Sequence, residues 1–346
     1  MVLMLLVSMG FLVSQPCAAQ DGSLRECLKE RLLQRPQARS ESQSDTRAPA
    51  PAGPGASAQA GDYRFNLNHD GLERLYLVHV PRSYTPSHPA PLLVALHGGG
   101  GNMDDQTDDS KYGLITTSER EGAVVAFPNG SSPFKSGKLA TWNAGNCCGG
   151  ARDRQVDDVG FIRQMVSSIS AQLHIDPQRI YATGMSNGGM MAYRLACEAS
   201  DVFSAIAAVA GTDNIRQCQP ARPVSVLHIH AKDDDHVLFM SGVGPAAMNR
   251  SAEADYTSVP GTIAKWTAMD GCTAKPKRVI DAPGATCERY SPCQSGVEVQ
   301  LCVTETGGHS WPGGHKPRSN EPPSSAISAN DVMWEFFSRQ TRQQAP

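Results

Sequence analysis

The segment "RIYATGMSNGGMMAYRLA", residues 179–196, contains a serine at the centre of a G-x-S-x-G pattern. Ser186 lies between Gly184 and Gly188, where an apolar run passes into a helical pattern. A serine on a sharp turn from strand to helix brings backbone segments close together. Glycines at both flanks would relieve this crowding and leave Oγ exposed as a nucleophile. The pattern alone is equally compatible with an ordinary turn, so its context must decide.

A glycine-rich loop upstream could supply backbone N–H groups to such a serine. The strand pattern in "LLVALHGGGGNMDD" ends in His97 and four glycines at residues 98–101. Unblocked N–H groups near Gly99, together with the N–H of Asn187, could bind a developing oxyanion. A phosphate-binding loop is the competing interpretation, but no Gly-Lys-Ser/Thr follows the glycines. The loop therefore favours acyl chemistry.

Acidic and imidazole side chains cluster in "VSVLHIHAKDDDHV", and two interpretations stay open there. An aspartate among residues 233–235, at the end of a strand, could orient a catalytic histidine. Alternatively, His228, His230 and His236 could bind a metal with the aspartates, because His-x-His is a common ligand spacing. His228 and His230 would face the same side of a strand and could equally be core residues.

A histidine in "ETGGHSWPGGH" completes a set of three. His309 follows a strand pattern that ends near Thr306, and it lies in a loop flanked by glycines. The chain order of serine, aspartate and histidine is that of the α/β-hydrolases and differs from the two other familiar serine-hydrolase orders. Three such features, each at the end of a predicted strand, predict a serine hydrolase.

Two tryptophans and two further aspartates also lie near these motifs. Trp142 and Trp311 lie in glycine-rich loops, which predicts flat apolar walls beside a substrate, although they could also pack loops together. Asp157 and Asp158 immediately precede a helical pattern, so we interpret them as helix-capping residues rather than catalytic acids.

The elements that must position these residues alternate between short β-type runs and longer helical runs from residue 62 onward. Strand patterns occur in "ERLYLVHV", "PLLVALHG", "AVVAFP", "RIYATG", "AIAAVAG" and "VSVLHIHA". Helical patterns occur in "VGFIRQMVSSISAQL", "GGMMAYRLACEAS", "GTIAKWTAMDG" and "SANDVMWEFFSRQ". Strands separated by helices predict an α/β fold with a mostly parallel central sheet and helices on both faces, with antiparallel strands at its start.

Ten cysteines indicate an oxidising compartment, and eight remain after Cys17 and Cys27 are set aside. If "TCERYS" and "VEVQLCVTE" form a hairpin with Ser291 opposite Glu298, two cysteines face each other across the strands. The connectivity stays open at this stage, and the pairs that we consider are Cys287–Cys302, Cys272–Cys293, Cys197–Cys218 and the adjacent Cys147–Cys148.

The chain of 346 residues has 40% hydrophobic residues and a formal net charge of -3, without a dense basic run. This composition predicts a globular protein that does not bind nucleic acid. Residues 1–19 are expected to be a signal peptide, because their apolar core is short and ends near small residues, so no stable membrane insertion is expected after cleavage. Residues 20–61 are expected to form a short helix and a flexible Pro/Ala-rich tether, and residues 62–342 one catalytic domain.

Several segments together resemble the polyhydroxybutyrate depolymerase and feruloyl esterase-like group of secreted α/β-hydrolases. They are "LHGGGGN", "TWNAGNCCGGARDRQVDDVGFIRQMV", "IDPQRIYATGMSNGGMMAYRLAC", "HIHAKDDDHV" and "GGHSWPGG". The resemblance spans about residues 62–340 and implies Ser186 as nucleophile, His309 as base and Asp234 as the acid that orients it. The family commonly has "HGTAD" where this chain has "HAKDD", so Asp233 and Asp235 remain lesser candidates.

The resemblance implies a secreted or periplasmic esterase that needs no cofactor. The expected substrates are short-chain esters, hydroxyalkanoate oligomers or polyester, or feruloyl and acetyl esters of polysaccharides. Because His309 must begin neutral, kcat/KM should rise with pH through an apparent pKa near that of free imidazole, about 6.5. Two alternatives remain: a metal-dependent hydrolase that uses His228, His230 and Asp234, and a non-catalytic binding protein on the same fold.

Overall fold

The computed structural model describes residues 59–247, 256–316 and 322–342. The predicted signal peptide, residues 1–19, and all but the end of the predicted tether, residues 20–61, lie outside the described residues. The first strand begins at Gly61, and the proposed domain boundaries stay predictions.

A single ten-stranded sheet organises the described residues. The strands are β1 (Gly61–His69), β2 (Leu72–Val80), β3 (Ala90–Leu96), β4 (Val124–Pro128), β5 (Ile175–Met185), β6 (Ala205–Val209), β7 (Ser225–Ala231), β8 (Lys277–Ala282), β9 (Ala285–Tyr290) and β10 (Val299–Thr304). Their order across the sheet is β1-β2-β4-β3-β5-β6-β7-β10-β9-β8. The six central strands from β4 to β10 are parallel, whereas β1 and β2 at one edge and β8 and β9 at the other are antiparallel. The predicted mostly parallel sheet with an antiparallel start is therefore confirmed.

Eight α-helices connect the strands within the described residues. They are α1 (Met103–Thr107), α2 (Asp109–Tyr112), α3 (Leu114–Glu121), α4 (Gly149–Asp153), α5 (Asp158–Gln172), α6 (Asn187–Glu198), α7 (Val259–Met269) and α8 (Ala329–Ser338). The four helices that the sequence predicted after residue 62 are present as α5 to α8, whereas the short helix predicted within residues 20–61 lies outside the described residues. No helix in the described part of the chain is both long enough and apolar enough to cross a membrane.

The buried side chains form two apolar clusters because successive strand residues point to opposite faces of the sheet. On β3, Leu92 and Val94 pack into the cluster that includes α5, α6 and α7, whereas Leu93 and Ala95 pack into the cluster that includes α8. Both faces of the central strands are thus covered, which is the usual arrangement of parallel strands. Their carboxyl ends meet at one edge of the sheet, where the site is found.

Four disulfides link the eight cysteines of the described residues, in the pairing that the sequence suggested: Cys147–Cys148, Cys197–Cys218, Cys272–Cys293 and Cys287–Cys302. Cys287 on β9 is directly opposite Cys302 on β10, in the register expected for the hairpin.

The two aspartates before α5 have different roles. Asp157 caps the helix, since its carboxylate accepts a hydrogen bond from the N–H of Gly160. Asp158 is fully buried and forms an ion pair with Arg74 at 2.6 Å. Capping was therefore the correct interpretation for Asp157, whereas Asp158 joins α5 to β2.

Candidate active site

Ser186 occupies a sharp turn between β5 and α6. Its backbone angles are φ 56° and ψ -124°, a conformation that L-residues rarely adopt. A Cβ on Gly184 would lie 2.5 Å from the carbonyl carbon of Gly188, and a Cβ on Gly188 would collide with the carbonyl oxygen of Leu96. Only glycine fits at either position, for the steric reason inferred from the sequence. The sharp turn therefore exposes the serine at the end of β5.

The glycine-rich loop after β3 lies directly beside this turn. A Cβ built on Gly98 would be 3.7 Å from the Cβ of Ser186, and one built on Gly99 would be 3.5 Å from the Cβ of Asn187. A Cβ at either position would thus make ordinary van der Waals contact, and the loop backbone lies next to Ser186 and Asn187. This is the position from which the N–H groups of Gly99 and Asn187 could bind an oxyanion.

Hydrogen bonds from the side chains of His97 and Trp142 hold the glycine-rich loop in place. The Nδ1 atom of His97 donates to the carbonyl of Gly98 at 2.8 Å, and its Nε2 atom accepts from the N–H of Gly130 at 2.9 Å. Burial lowers the pKa of His97 to about 4, so the ring is neutral and can be donor and acceptor at once. The indole nitrogen of Trp142 donates to the carbonyl of His97 at 2.9 Å, which fixes the start of the loop.

Neither tryptophan lies in the cavity wall where the sequence predicted it. Trp142 is completely buried, and its main-chain N–H and carbonyl bond the side-chain amide of Asn187 at 2.7 and 3.1 Å. Trp311 is 3% exposed, donates to Asn330 and packs edge-on against Tyr112. Both indoles hold loops together, because each indole N–H is hydrogen-bonded to a protein group, the carbonyl of His97 for Trp142 and the side chain of Asn330 for Trp311.

The three aspartates after β7 have three distinct partners. Asp234 contacts Nδ1 of His309 at 2.9 Å through Oδ2. Asp233 accepts hydrogen bonds from the N–H groups of the two glycines before His309. Asp235 contacts Nδ1 of His236 at 2.7 Å. Of the three, only Asp234 is placed to orient His309 directly, while Asp233 positions the loop that carries this histidine.

The carboxylate of Asp234 is buried but fully supplied with donors. Its Oδ1 accepts from the N–H groups of His236 and Val237, each at 2.9 Å, and Oδ2 lies 3.2 Å from Nε2 of His230 as well as next to His309. Burial by itself would raise the pKa of Asp234, but the neighbouring imidazoles of His309 and His230 outweigh it and hold the pKa well below its usual range. An ionised carboxylate therefore faces Nδ1 of His309.

His228 and His230 form a buried hydrogen-bonded row rather than a metal site. Nδ1 of His228 accepts from the hydroxyl of Tyr193 at 2.8 Å, and its Nε2 donates to Nδ1 of His230 at 3.1 Å. Nε2 of His230 donates in turn to the carbonyl of Val237 at 2.8 Å. Burial lowers the pKa of His228 well below its usual range, so it is neutral. With all four ring nitrogens bonded, the metal site predicted from His228, His230 and Asp234 does not form, and the core-residue interpretation is the correct one.

A cavity of about 490 Å³ opens onto Ser186 and His309. Its lining combines apolar side chains such as Met185 and Val237 with a charged pair, Asp105 and Lys111, whose atoms lie 3.4 Å apart. The cavity therefore offers both an apolar and a polar surface to a bound molecule.

Two contributors to this site, His230 and His236, were considered from the sequence only as metal ligands or, for His230, as a core residue. Nε2 of His230 lies 3.2 Å from the carboxylate that holds His309, and His236 stacks on the His309 ring with centroids 4.6 Å apart. The position of His236 directly after three aspartates was the feature of the sequence that could have indicated its place at the site. Its proximity to His309 depends on two loops 73 residues apart in the chain, which no local pattern reports.

A serine at a strand-to-helix turn, a histidine after the last parallel strand and a buried carboxylate after β7 define the α/β-hydrolase class. A solved acetyl xylan esterase from Aspergillus awamori agrees in fold, with a TM-score of 0.53 over 80% of this chain and 99% of that chain at 14% identity.

Residues 76–242 match the family described as Esterase PHB depolymerase. The chain is 32% identical to feruloyl esterase B of Piromyces equi over 68% of its own length, and spans 42% of that protein. It is also 32% identical to a protein of Aspergillus flavus named "Probable feruloyl esterase C", over 56% of this chain and 68% of the relative. The chain thus belongs to the polyhydroxybutyrate depolymerase and feruloyl esterase-like family of carboxylic ester hydrolases.

Proposed function

We propose that the protein is a secreted serine esterase that hydrolyses carboxylic esters through an acyl-enzyme. Ser186 is the nucleophile, His309 the general base and Asp234 the acid that orients it. The observation that carries the proposal is the convergence on one cavity of a strained, glycine-flanked serine and a histidine whose Nδ1 is held by a buried carboxylate at 2.9 Å.

The chemistry follows from the hydrogen bonds of His309. Because Nδ1 donates to Asp234, Nε2 carries the lone pair and can accept the proton of Ser186 as Oγ attacks the ester carbonyl. The N–H groups of Gly99 and Asn187 bind the oxyanion that forms. His309 then protonates the departing alcohol, and water repeats the two steps on the acyl-enzyme.

The lining of the cavity supports a soluble ester with a hydroxyl-rich alcohol. Met185 and Val237 suit an acyl chain or an aromatic ring, whereas Asp105 and Lys111 supply an acceptor and a donor for hydroxyl groups. Relatives named feruloyl esterases favour a feruloyl group as the acyl part, and a relative named as an acetylxylan esterase favours an ester on a polysaccharide. We therefore place feruloyl and acetyl esters of polysaccharides ahead of hydroxyalkanoate oligomers.

Secretion is supported by the four disulfides, because such bonds persist in oxidising compartments and are rare in reducing ones. Growth of an exporting host with and without the first nineteen residues of the sequence would test this, by comparing the protein recovered outside the cytoplasm.

The test of function compares the parent protein with Ser186→Ala on p-nitrophenyl acetate and butyrate, methyl ferulate and a 3-hydroxybutyrate oligomer. We expect kcat to fall by about 10⁶ on every ester that the parent cleaves, because the nucleophile is lost. Ser338→Ala, on the exposed end of α8, is the matched control and should retain the parent rate. Equal activity of the parent and Ser186→Ala would reject the triad. The absence of activity in the parent would favour a binding protein instead.

A further inference from the structure

A second cavity of about 410 Å³ lies at the same edge of the sheet as the active site. It is lined by the first residues of β2, among them Leu72 and Glu73, and by the loop that follows β4, among them Ser131, Phe134 and Lys135. The catalytic steps proposed for the triad use none of these side chains.

The second cavity adjoins the first. Because β2 is antiparallel to β4, its first residues lie beside the carboxyl end of β4. The active-site cavity lies at the carboxyl ends of β3 and β5, and the strand order β2-β4-β3-β5 places the two cavities about two strand spacings apart, roughly 10 Å. Ser131 lines the second cavity and Thr141 the first, and two backbone hydrogen bonds of 2.9 and 3.0 Å join these two residues. An extended ligand that leaves the active site across this pair of residues reaches the second cavity.

An ordered loop presents an aromatic ring at this cavity. Five large apolar side chains are exposed among the described residues, and two of them, Phe134 at 54% and Leu72 at 42%, line the second cavity. The N–H of Phe134 donates to Oγ of Ser132 at 2.9 Å, and its carbonyl accepts from the N–H of Gly137 at 3.0 Å. The side chain of the buried Asn129 donates to the carbonyl of Gly137 at 3.0 Å. Because the backbone is held in this way, a ligand that packs on the ring has less loop entropy to remove.

Polar groups lie in the same cavity and suit a ligand that carries hydroxyl groups. Lys135 and Glu73 are both exposed there. Asn66 donates to Oε1 of Glu73, but neither Oε2 of Glu73 nor Nζ of Lys135 has a hydrogen-bond partner within the described residues. The pair thus offers one acceptor and one donor beside an aromatic face. A sugar ring has an apolar C–H face and hydroxyl edges, whereas a polyester chain has acceptors but no hydroxyl donor along its length.

We propose that the second cavity binds a segment of the polysaccharide whose esterified sugar lies at Ser186. Phe134 packs against the C–H face of a sugar ring, and Lys135 and Glu73 bind its hydroxyl groups. The inference rests on the proposed function and adds a separate site for the alcohol part of the substrate. A small ester such as methyl ferulate occupies the first cavity alone and gains nothing from the second.

Binding is tested first, by calorimetric titration of xylohexaose, an unesterified fragment of a plant polysaccharide, into Ser186→Ala. We expect the added substitution Phe134→Ala to weaken binding by about fivefold, because the stacked ring is lost. The matched control is Val279→Ala, which removes an exposed apolar side chain from β8 at the far edge of the sheet and should leave binding unchanged. No binding to Ser186→Ala, or equal binding after Phe134→Ala, would overturn the proposal.

Kinetics then separate the two cavities. On a feruloylated xylan fragment, Phe134→Ala should raise KM by about fivefold at unchanged kcat, because uniform binding is lost, and both constants for methyl ferulate should stay the same. An equal loss on both esters would contradict the proposal, since Phe134 would then support the active site itself. So would a loss confined to a 3-hydroxybutyrate polymer, which would make the second cavity a polyester site. If the parent cleaves no ester, the proposed function fails, and the calorimetric result still decides whether the polysaccharide site exists.

Discussion

Two stacked histidine pairs each have one ring in contact with the same carboxylate. His228 and His230 lie in the core with ring centroids 5.2 Å apart, and His236 and His309 lie at the cavity with centroids 4.6 Å apart. Asp234 contacts Nε2 of His230 at 3.2 Å and Nδ1 of His309 at 2.9 Å. The pairs therefore share residue type, stacking and a common anion.

The two pairs differ in how many of their ring nitrogens are hydrogen-bonded to protein groups. In the buried pair all four ring nitrogens are bonded to protein groups, so the role of these rings is to stabilise the structure. In the cavity pair one nitrogen of each ring is bonded to a carboxylate and the other can act on a bound molecule. Residue identity and spacing are thus insufficient to assign a histidine, and its hydrogen-bond partners decide.

The largest difference between the two pairs is expected when His309 is replaced. We expect His309→Gln to lower kcat on the best ester by about 10⁶, as loss of a general base does in comparable triads. The side chain of His309 is largely buried, but it lines the cavity. The melting temperature should therefore change much less than the rate. The measurement is steady-state hydrolysis alongside thermal unfolding. Substantial residual activity in a folded His309→Gln protein would contradict the assignment.

Asp234 is the point at which the two pairs meet, so its replacement should affect both. We expect Asp234→Asn to lower kcat by about 10⁴, because the amide cannot hold His309 in the tautomer with a free Nε2 or stabilise its cation. Asp233→Asn and Asp235→Asn are the matched controls, and each should reduce kcat far less. A larger loss in either control would move the catalytic acid to that residue.

The sequence predicted most of the sheet and the four long helices because their apolar periodicity was strong. It did not name β1, the largely exposed β8 or the short helices α1 to α4, which have four to eight residues each. The triad residues stood out because each follows a strand, but Asp234 was preferred over its neighbours only through family resemblance. The positions of Trp142 and Trp311 were misjudged, and the stacking of His236 on His309 was not foreseen, since burial and stacking between distant loops leave no local pattern.

The buried pair should matter for stability rather than for catalysis. His228→Phe removes the partner of Tyr193 and of Nδ1 of His230, so two buried polar groups lose a hydrogen bond. We expect the free energy of unfolding at neutral pH to fall by about 1–3 kcal/mol. kcat/KM should change by less than about threefold, because the ring does not reach the cavity. Urea unfolding and steady-state kinetics on the same preparation test both, and a large kinetic loss without destabilisation would show that His228 acts in catalysis.

The smallest expected effect is the pH dependence of the difference in unfolding free energy between the parent and His228→Phe. Burial lowers the pKa of His228, so the folded protein keeps this ring neutral while the unfolded chain takes up a proton below about pH 6.5. The contribution of His228 to stability is therefore complete above that pH and is lost as the pH falls. We expect the free energy of unfolding of the parent minus that of His228→Phe to decrease from about pH 7.5 to about pH 5. The shared titration of His97, Asp270 and other groups cancels in this difference. A difference that stays constant over this range would show that the buried pair accepts a proton as readily as the unfolded chain.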